Sequence, residues 1–454
     1  MTYIYNTLLV FSLLIVATYL MQLILRYLNE KPSKVVLAIL WIIGIGPIIQ
    51  ELKTNRIIEG TNQIIVAPLS FLKDVEFNQI IFLVSMFISF VIFIFILKKG
   101  KQKIIASSEG KVILISYIIY HIGILASCIL GTKPYFSINI YVSLILLIGC
   151  MLIIDYGSIK EIIKHIQYIL LTYIYISLLL GLLYPEWATT SYNNLIPIFH
   201  SRLSGVLTHA NGLGPVTVLY IIFRRLMTNE KNIYSNIHIF SALIVLLWTE
   251  SKTAIFMLIL VWAISLVHSF RGSRDFRVFF SFTLIISAAS FFVFFIISQF
   301  NANGFFYKVV SEVNKLLEEF STLTGRFEIW SITIKTWLDN IMFGYGPTIW
   351  DLEFRTGYGK EYVGQAHNQF VQSLGETGVF GFVCMLIFVG CLIYYGIRLS
   401  KETKGVSLML VTFLLIRCIT ETPFRNYAIH IQMFSLICIL IFLSYSKGNN
   451  SDQN

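Results

Sequence analysis

Charge is what this sequence has least of. Only 13% of its 454 residues are Asp, Glu, Lys or Arg, 56% are hydrophobic, and the mean hydropathy is +0.76. A soluble multidomain protein is not built with so little charge. The ten-residue alternating segments of a membrane β-barrel are missing as well. The apolar runs are long and continuous, and in lipid every backbone polar group needs an internal partner, so helices are the spanning elements. No metal-ligand spacing joins the six cysteines. Cys128, Cys150, Cys384, Cys391, Cys418 and Cys438 all lie in apolar segments and give no sign of disulfides or zinc. The amino-terminal run from Ile4 to Leu25 has neither a basic start nor a small-residue cleavage site, so it reads as a retained span. No internal repeat of the kind that marks many secondary transporters is visible.

What is present is a series of spans, placed at 4–25, 35–49, 80–97, 112–130, 135–154, 162–184, 212–223, 237–249, 253–270, 278–298, 379–397, 406–420 and 429–445. The expected fold class is all-α, a polytopic integral membrane protein of about 12–13 transmembrane helices with a large extracytoplasmic helical loop. The segments at 35–49, 212–223 and 237–249 are short for a span, which predicts tilt, a glycine break or extension by flanking polar residues. Three regions follow: an N-terminal bundle over 1–298 with an outward loop at 185–211, the large loop over 299–378, and C-terminal helices over 379–454.

The formal charge of +10 lies in short clusters between spans and not along one soluble face, which argues against a nucleic-acid partner. Arg26, Lys31 and Lys34; Lys98, Lys99, Lys101, Lys103 and Lys111; Arg224, Arg225 and Lys231; Arg271, Arg274 and Arg277; and Arg398, Lys401 and Lys404 all fall on one side of these spans. The positive-inside rule makes that side the cytoplasm. The large loop is then outside and the C-terminus inside, while the side of the N-terminus turns on whether the second span crosses.

Between Gln299 and Gly381 the composition becomes that of a soluble protein, with two amphipathic patterns. In the first, Phe327, Trp330, Ile334, Trp337 and Ile341 recur at helical spacing. Thr324 or Gly325, with Glu328, is expected to cap its start and to leave Arg326 in a first turn whose unpaired N–H groups suit an anion. The second runs from Ala366 to Leu374 and into Gly375-Glu376-Thr377-Gly378, which predicts His367 on one helical face with Phe370, Val371 and Leu374. A third run, from Arg202 to Pro215, is the most unusual in the membrane-embedded part. As local structure, Asn211 caps a helix, Pro215 occupies its first turn, the glycines allow close packing and Arg202 snorkels. As a site, Arg202 is a planar, permanently charged donor suited to phosphate.

Together these runs resemble one family. Arg202-x-x-Gly205, Asn211-x-x-Gly214, Gly325-Arg326 with Trp330, Phe343-Gly344-Tyr345-Gly346, and His367-Asn368 leading to Glu376-x-Gly378-x-x-Gly381 are similar, in that order, to the O-antigen ligase and polymerase superfamily, over roughly residues 200–385. That family comprises bacterial membrane enzymes, Wzy-type polymerases and O-antigen ligases, that assemble surface polysaccharides. The resemblance implies glycosyl transfer at the outer face of the cytoplasmic membrane. The donor would be an oligosaccharide on undecaprenyl pyrophosphate and the acceptor a glycan hydroxyl, with no nucleotide sugar, metal or other cofactor. Membrane lipids, a chain-length regulator and a flippase are the partners it implies.

Negative charge grows on the pyrophosphate as it leaves, and fixed cations in a partly dry site stabilise it. Arg202 and Arg326 are the candidates, with Lys252 beside them. Members of the family often show Ser-Arg where this chain has Ser251-Lys252, which keeps the charge and loses the bidentate fork. His367 is the candidate base for the acceptor hydroxyl. His209, Asn211, Asn368 and Glu376 are secondary candidates. For Arg326 a helix-surface ion pair and for His367 an interfacial ring with a polar tip stay open. A polymerase is the first reading, an O-antigen-type ligase the alternative, and a lipid-linked sugar flippase the alternative from another class. A non-catalytic assembly subunit is a further possibility, and it requires Arg202, Arg326 and His367 to be dispensable. A flippase predicts charges buried within spans, of which Arg417 is an example.

Overall fold

The computed structural model describes residues 21–26, 28–57, 64–72, 77–99, 108–154, 158–190, 201–227, 233–269, 323–361, 363–425 and 427–445. The span expected at 278–298, most of that at 4–25, and loop residues 299–322 lie outside the described residues. Every other expected span coincides with a helix. These are α1 (Pro32–Leu52), α2 (Phe77–Lys99), α3 (Ser108–Leu130), α4 (Val142–Ile153), α5 (Ile159–Leu183), α6 (Ala210–Arg224), α7 (Ile233–Thr249) and α8 (Lys252–Ser269). The large loop contributes α9 (Leu323–Leu338) and the short α10 (Leu352–Gly357), and α11 (Gln369–Arg398), α12 (Val406–Thr420) and α13 (Ile431–Tyr445) complete the chain. Strand is confined, among the described residues, to two-residue pairs: Arg56–Ile57 (β1) with Ile64–Ile65 (β2), and Thr189–Thr190 (β3) with Arg202–Leu203 (β4).

The protein is an all-α membrane protein. Helices α1, α3, α5 and α11 are each long and apolar enough to cross a bilayer, and shorter apolar helices pack among them. The three short segments gain length from their flanks. Lys34 and Glu51 fall inside α1, and Arg224 inside α6, where long polar side chains at a helix end can reach water. Close approach of helices depends on small residues. At Gly214 of α6 an added Cβ would stand 2.8 Å from the Ala254 Cβ and 2.9 Å from the Ser251 Cβ, which fixes α6 against α8.

Helix α11 is interrupted near its start. Gly378 has φ 62° and ψ −168°, a conformation essentially restricted to glycine, so Gln369–Thr377 and the apolar remainder are two helical pieces. A break in a helix leaves backbone groups that need partners, and the segment 341–346 supplies them. Val379 N–H donates to Ile341 O (2.9 Å) and Phe380 N–H to Met342 O (3.1 Å), while Tyr345 N–H donates to Gly375 O (2.9 Å) and Gly346 N–H to Glu376 O (3.0 Å). The Phe343-Gly344-Tyr345-Gly346 run is thus a backbone splint across the break. A Cβ at Gly378 would lie 2.4 Å from the Met342 carbonyl. Gly378→Ala is therefore expected to cost about 2–4 kcal/mol in stability, read as a lower melting temperature and lower folded yield in detergent.

The loop folds on a small core of its own, Ile329, Ile349, Trp350, Phe354, Val363 and Ala366. Hydrogen bonds gather the connections after α1, α3, α5 and α12 to the same end as this core. Arg425 clasps the loop by donating to Gly364 O (2.7 Å) and Ile349 O (2.6 Å), and Thr132 N–H donates to Gly344 O (3.0 Å).

Candidate active site

At the end of α12, Arg417 and Glu421 stand one helical turn apart. Arg417 is buried in an otherwise apolar helix, and Glu421 N–H donates to the Arg417 carbonyl at 2.7 Å to close the helix. The Glu421 Oε2 accepts from Gln365 Nε2 at 2.6 Å and lies 3.1 Å from His367 Nδ1. Gln365 is itself oriented by a hydrogen bond from the Thr422 hydroxyl. A carboxylate only accepts, so Nδ1 carries the imidazole hydrogen and Nε2 presents a lone pair.

Burial alone would raise the Glu421 carboxyl. The hydrogen bond from His367 and the charges of Arg417, His367 and Arg326 act the other way, and Glu421 lies below its ordinary 4.5. A lowered carboxyl contributes stability above its ordinary value and loses it as pH falls through the lowered one. Glu421→Gln is therefore expected to be about 3 kcal/mol less stable at neutral pH, because buried Arg417 loses its counter-charge. The difference in melting temperature from the wild type should begin to narrow as pH falls below roughly 4.5, the ordinary carboxyl value, and close as it falls through the lowered value of the folded carboxyl.

The backbone around His367 is held from several directions. Trp330 Nε1 donates to Ala366 O (2.8 Å), and Ala366 N–H donates to Gln372 Oε1 (2.8 Å). His367 itself has φ 48°, the left-handed region that a β-substituted residue occupies only when its surroundings impose it. Asn368 then caps α11, its Oδ1 accepting from Phe370 N–H (2.9 Å) and Val371 N–H (3.1 Å). His367 precedes the helix and does not share a helical face with Phe370, Val371 and Leu374, because Asn368 competes for the cap and turns the chain there. The start of α9 differs from expectation in the same way. Thr324 and Gly325 lie within the helix from Leu323 and do not precede it.

Arg202 reaches this cluster from the other side. Its Nε donates to Thr249 O (3.0 Å) and its Nη2 to Asn211 Oδ1 (3.1 Å), while the Arg417 Nη1 donates to Asn211 O (3.3 Å). Asn211 is therefore no cap. His209 is the N-cap residue of α6, without a side-chain bond, and Asn211 spends its side chain on Arg202. The contacts run continuously from Arg202 through Asn211, Arg417 and Glu421 to His367, with the Arg326 charge acting on Glu421. Three arginines and one oriented imidazole thus belong to one connected cluster.

Residues 237–386 match the O-antigen ligase family (Wzy_C). Comparison with curated proteins gave no match. The resemblance seen in the motifs holds over that stretch, from α7 into α11. The matched stretch carries Lys252, Arg326, His367, Asn368 and Glu376. Arg202, His209, Asn211, Arg417 and Glu421 lie outside it, and all of these but His209 are joined to it by the contacts above.

The remaining candidates divide. Lys252 is exposed at the first residue of α8, three positions after the carbonyl that receives Arg202. Glu376 is buried at the α11 break, where it accepts from Gln372 Nε2 (3.0 Å) and lies 3.7 Å from Arg425 Nε. It holds the Gln372 side chain, whose Oε1 accepts from Ala366 N–H, one residue before His367. His209 is exposed at the start of α6. Glu421 and Gln365 were not among the residues that the motifs singled out. An arginine and a glutamate four positions apart at the end of an apolar helix were the available signal, since charge at that depth needs a partner or a task.

Proposed function

We propose that the protein is a glycosyltransferase of the outer face of a bacterial cytoplasmic membrane, a polymerase joining oligosaccharide repeat units carried on undecaprenyl pyrophosphate. The observation that carries this reading is the His367–Glu421 pair set among Arg202, Arg326 and Arg417. In the proposed step an acceptor hydroxyl gives its proton to His367 Nε2 as its oxygen bonds to the donor's anomeric carbon. The bond from that carbon to the pyrophosphate oxygen breaks, and the electron pair leaves with undecaprenyl pyrophosphate. Glu421 keeps the ring in the accepting tautomer and stabilises the imidazolium that forms. Arg202, Arg326 and Lys252 stabilise the charge on the leaving group. The orientation rests on the basic clusters of the opposite loops.

A ligase transferring finished glycan is the second reading, favoured by the description of the matched family. A flippase is less well supported. Arg417, the buried charge on which that reading leaned, is engaged with Asn211 and Glu421 beside His367.

The test is the length of surface polysaccharide, by gel, in a strain lacking the gene and complemented with the wild type or with Arg202→Ala, Arg326→Ala or His367→Ala at equal membrane levels. A polymerase predicts loss of long polymer while single repeat units still reach the outer face. Long polymer accumulating on its lipid carrier would indicate the ligase. Normal polymer with all three variants would overturn the catalytic assignment.

A further inference from the structure

Arg56, in the connection after α1, is remote in sequence from every motif above, yet its guanidinium fills the loop that carries Arg202. Nη1 donates to Trp187 O (2.6 Å) and Ser204 Oγ (2.9 Å), and Nη2 to Gly205 O (3.1 Å) and Leu207 O (2.8 Å). Its Cζ lies 3.6 Å from the centre of the Trp187 ring, and Trp187 Nε1 bonds back to Thr54 O (3.3 Å). The acceptors at 204, 205 and 207 all lie between Arg202 and Asn211, and those two residues meet at the mouth of the same loop. Backbone carbonyls turned inward around one cation would repel each other and splay without it. The loop's two ends, and the guanidinium that one of them carries, would move with them.

We propose that Arg56 is a positioning residue for pyrophosphate recognition, holding the 202–211 loop so that Arg202 and Asn211 stay engaged at the site. The inference rests on the reading of Arg202 as a pyrophosphate ligand. Lysine cannot reproduce the role, because an ammonium lacks the planar fork that serves four acceptors at once and stacks on an indole.

The experiment measures binding of undecaprenyl pyrophosphate to the purified full-length protein in detergent, from the concentration dependence of its thermal stabilisation. Arg202→Ala is expected to weaken binding about tenfold, the loss of a charge-assisted contact. Arg56→Lys should weaken it by a similar factor, with a ligand-free melting temperature within a few degrees of the wild type. Because both act through one guanidinium, the double variant should bind within about twofold of either single variant. Wild-type binding by Arg56→Lys, or a product of the two effects near 100-fold in the double variant, would overturn the inference while leaving Arg202 in place. No stabilisation of the wild type, or full binding by Arg202→Ala, would instead remove the pyrophosphate reading and the inference with it. If Arg56→Lys does not fold, Ser204→Ala deletes one of the four acceptors. A weakening of about threefold that vanishes in the Arg202→Ala background would then support the inference. No weakening, or the same weakening in both backgrounds, would overturn it.

Discussion

Replacing His367 with alanine is expected to lower glycosyl transfer by about 10²- to 10⁴-fold, the contribution of a positioned general base. Folded protein should persist at near wild-type levels, because the side chain is 33% exposed and its loss buries no new polar group beyond Glu421, which keeps Gln365 as a donor and Arg417 as a counter-charge. Loss of turnover without loss of protein separates a chemical role from an interfacial ring that merely anchors the loop. Initial rates with a lipid-linked oligosaccharide donor, compared at equal protein, provide the check. A rate within a factor of a few of the wild type would return His367 to a structural role.

The second large effect concerns the cations. Arg202→Ala and Arg326→Ala are each expected to reduce turnover by about 10²- to 10³-fold, the scale seen when one fixed donor to a developing oxyanion is removed. Donor affinity should change less, because the charge on the leaving oxygen grows as the bond breaks and is smaller in the bound donor. Measuring kcat and KM separately tests this. A rise in KM with kcat unchanged would mean that the arginine binds ground and transition states equally and acts as a docking charge only. Lys252→Ala should have the smallest effect of the three, since an exposed ammonium is well hydrated and offers no fork.

Much of this organisation was legible from residue order. The helices follow from apolar run length, and even the short segments resolve once flanking charges are allowed to reach past the helix ends, as in α1 and α6. Pattern reading failed where a cap or a break competed with periodicity. His367 lies outside its helix because Asn368 takes the cap, and α11 starts at Gln369 and breaks at Gly378, not at the end of a long loop. The Arg202, Arg326 and His367 candidates were visible as residue types in a familiar order. The groups that make them a site were not. Glu421 sits 54 residues from His367, and Asn211 is 206 residues from the Arg417 that donates to it. Long-range pairs of this kind carry no local periodicity, so only the folded chain brings them into view. Arg56 is the extreme case, a basic residue in the connection after α1 whose four partners lie 131–151 residues away.

In the proposed function the protein moves a glycan from undecaprenyl pyrophosphate to a hydroxyl, with His367 as base. The most direct measurement incubates purified protein in lipid with an undecaprenyl-pyrophosphate-linked oligosaccharide and follows both glycan length and released undecaprenyl pyrophosphate. The prediction is one undecaprenyl pyrophosphate released for each glycan joined, with both products lost together in His367→Ala. Glycan growth and pyrophosphate release that persist undiminished in His367→Ala, or movement of the intact donor across the bilayer with neither product formed, would contradict it.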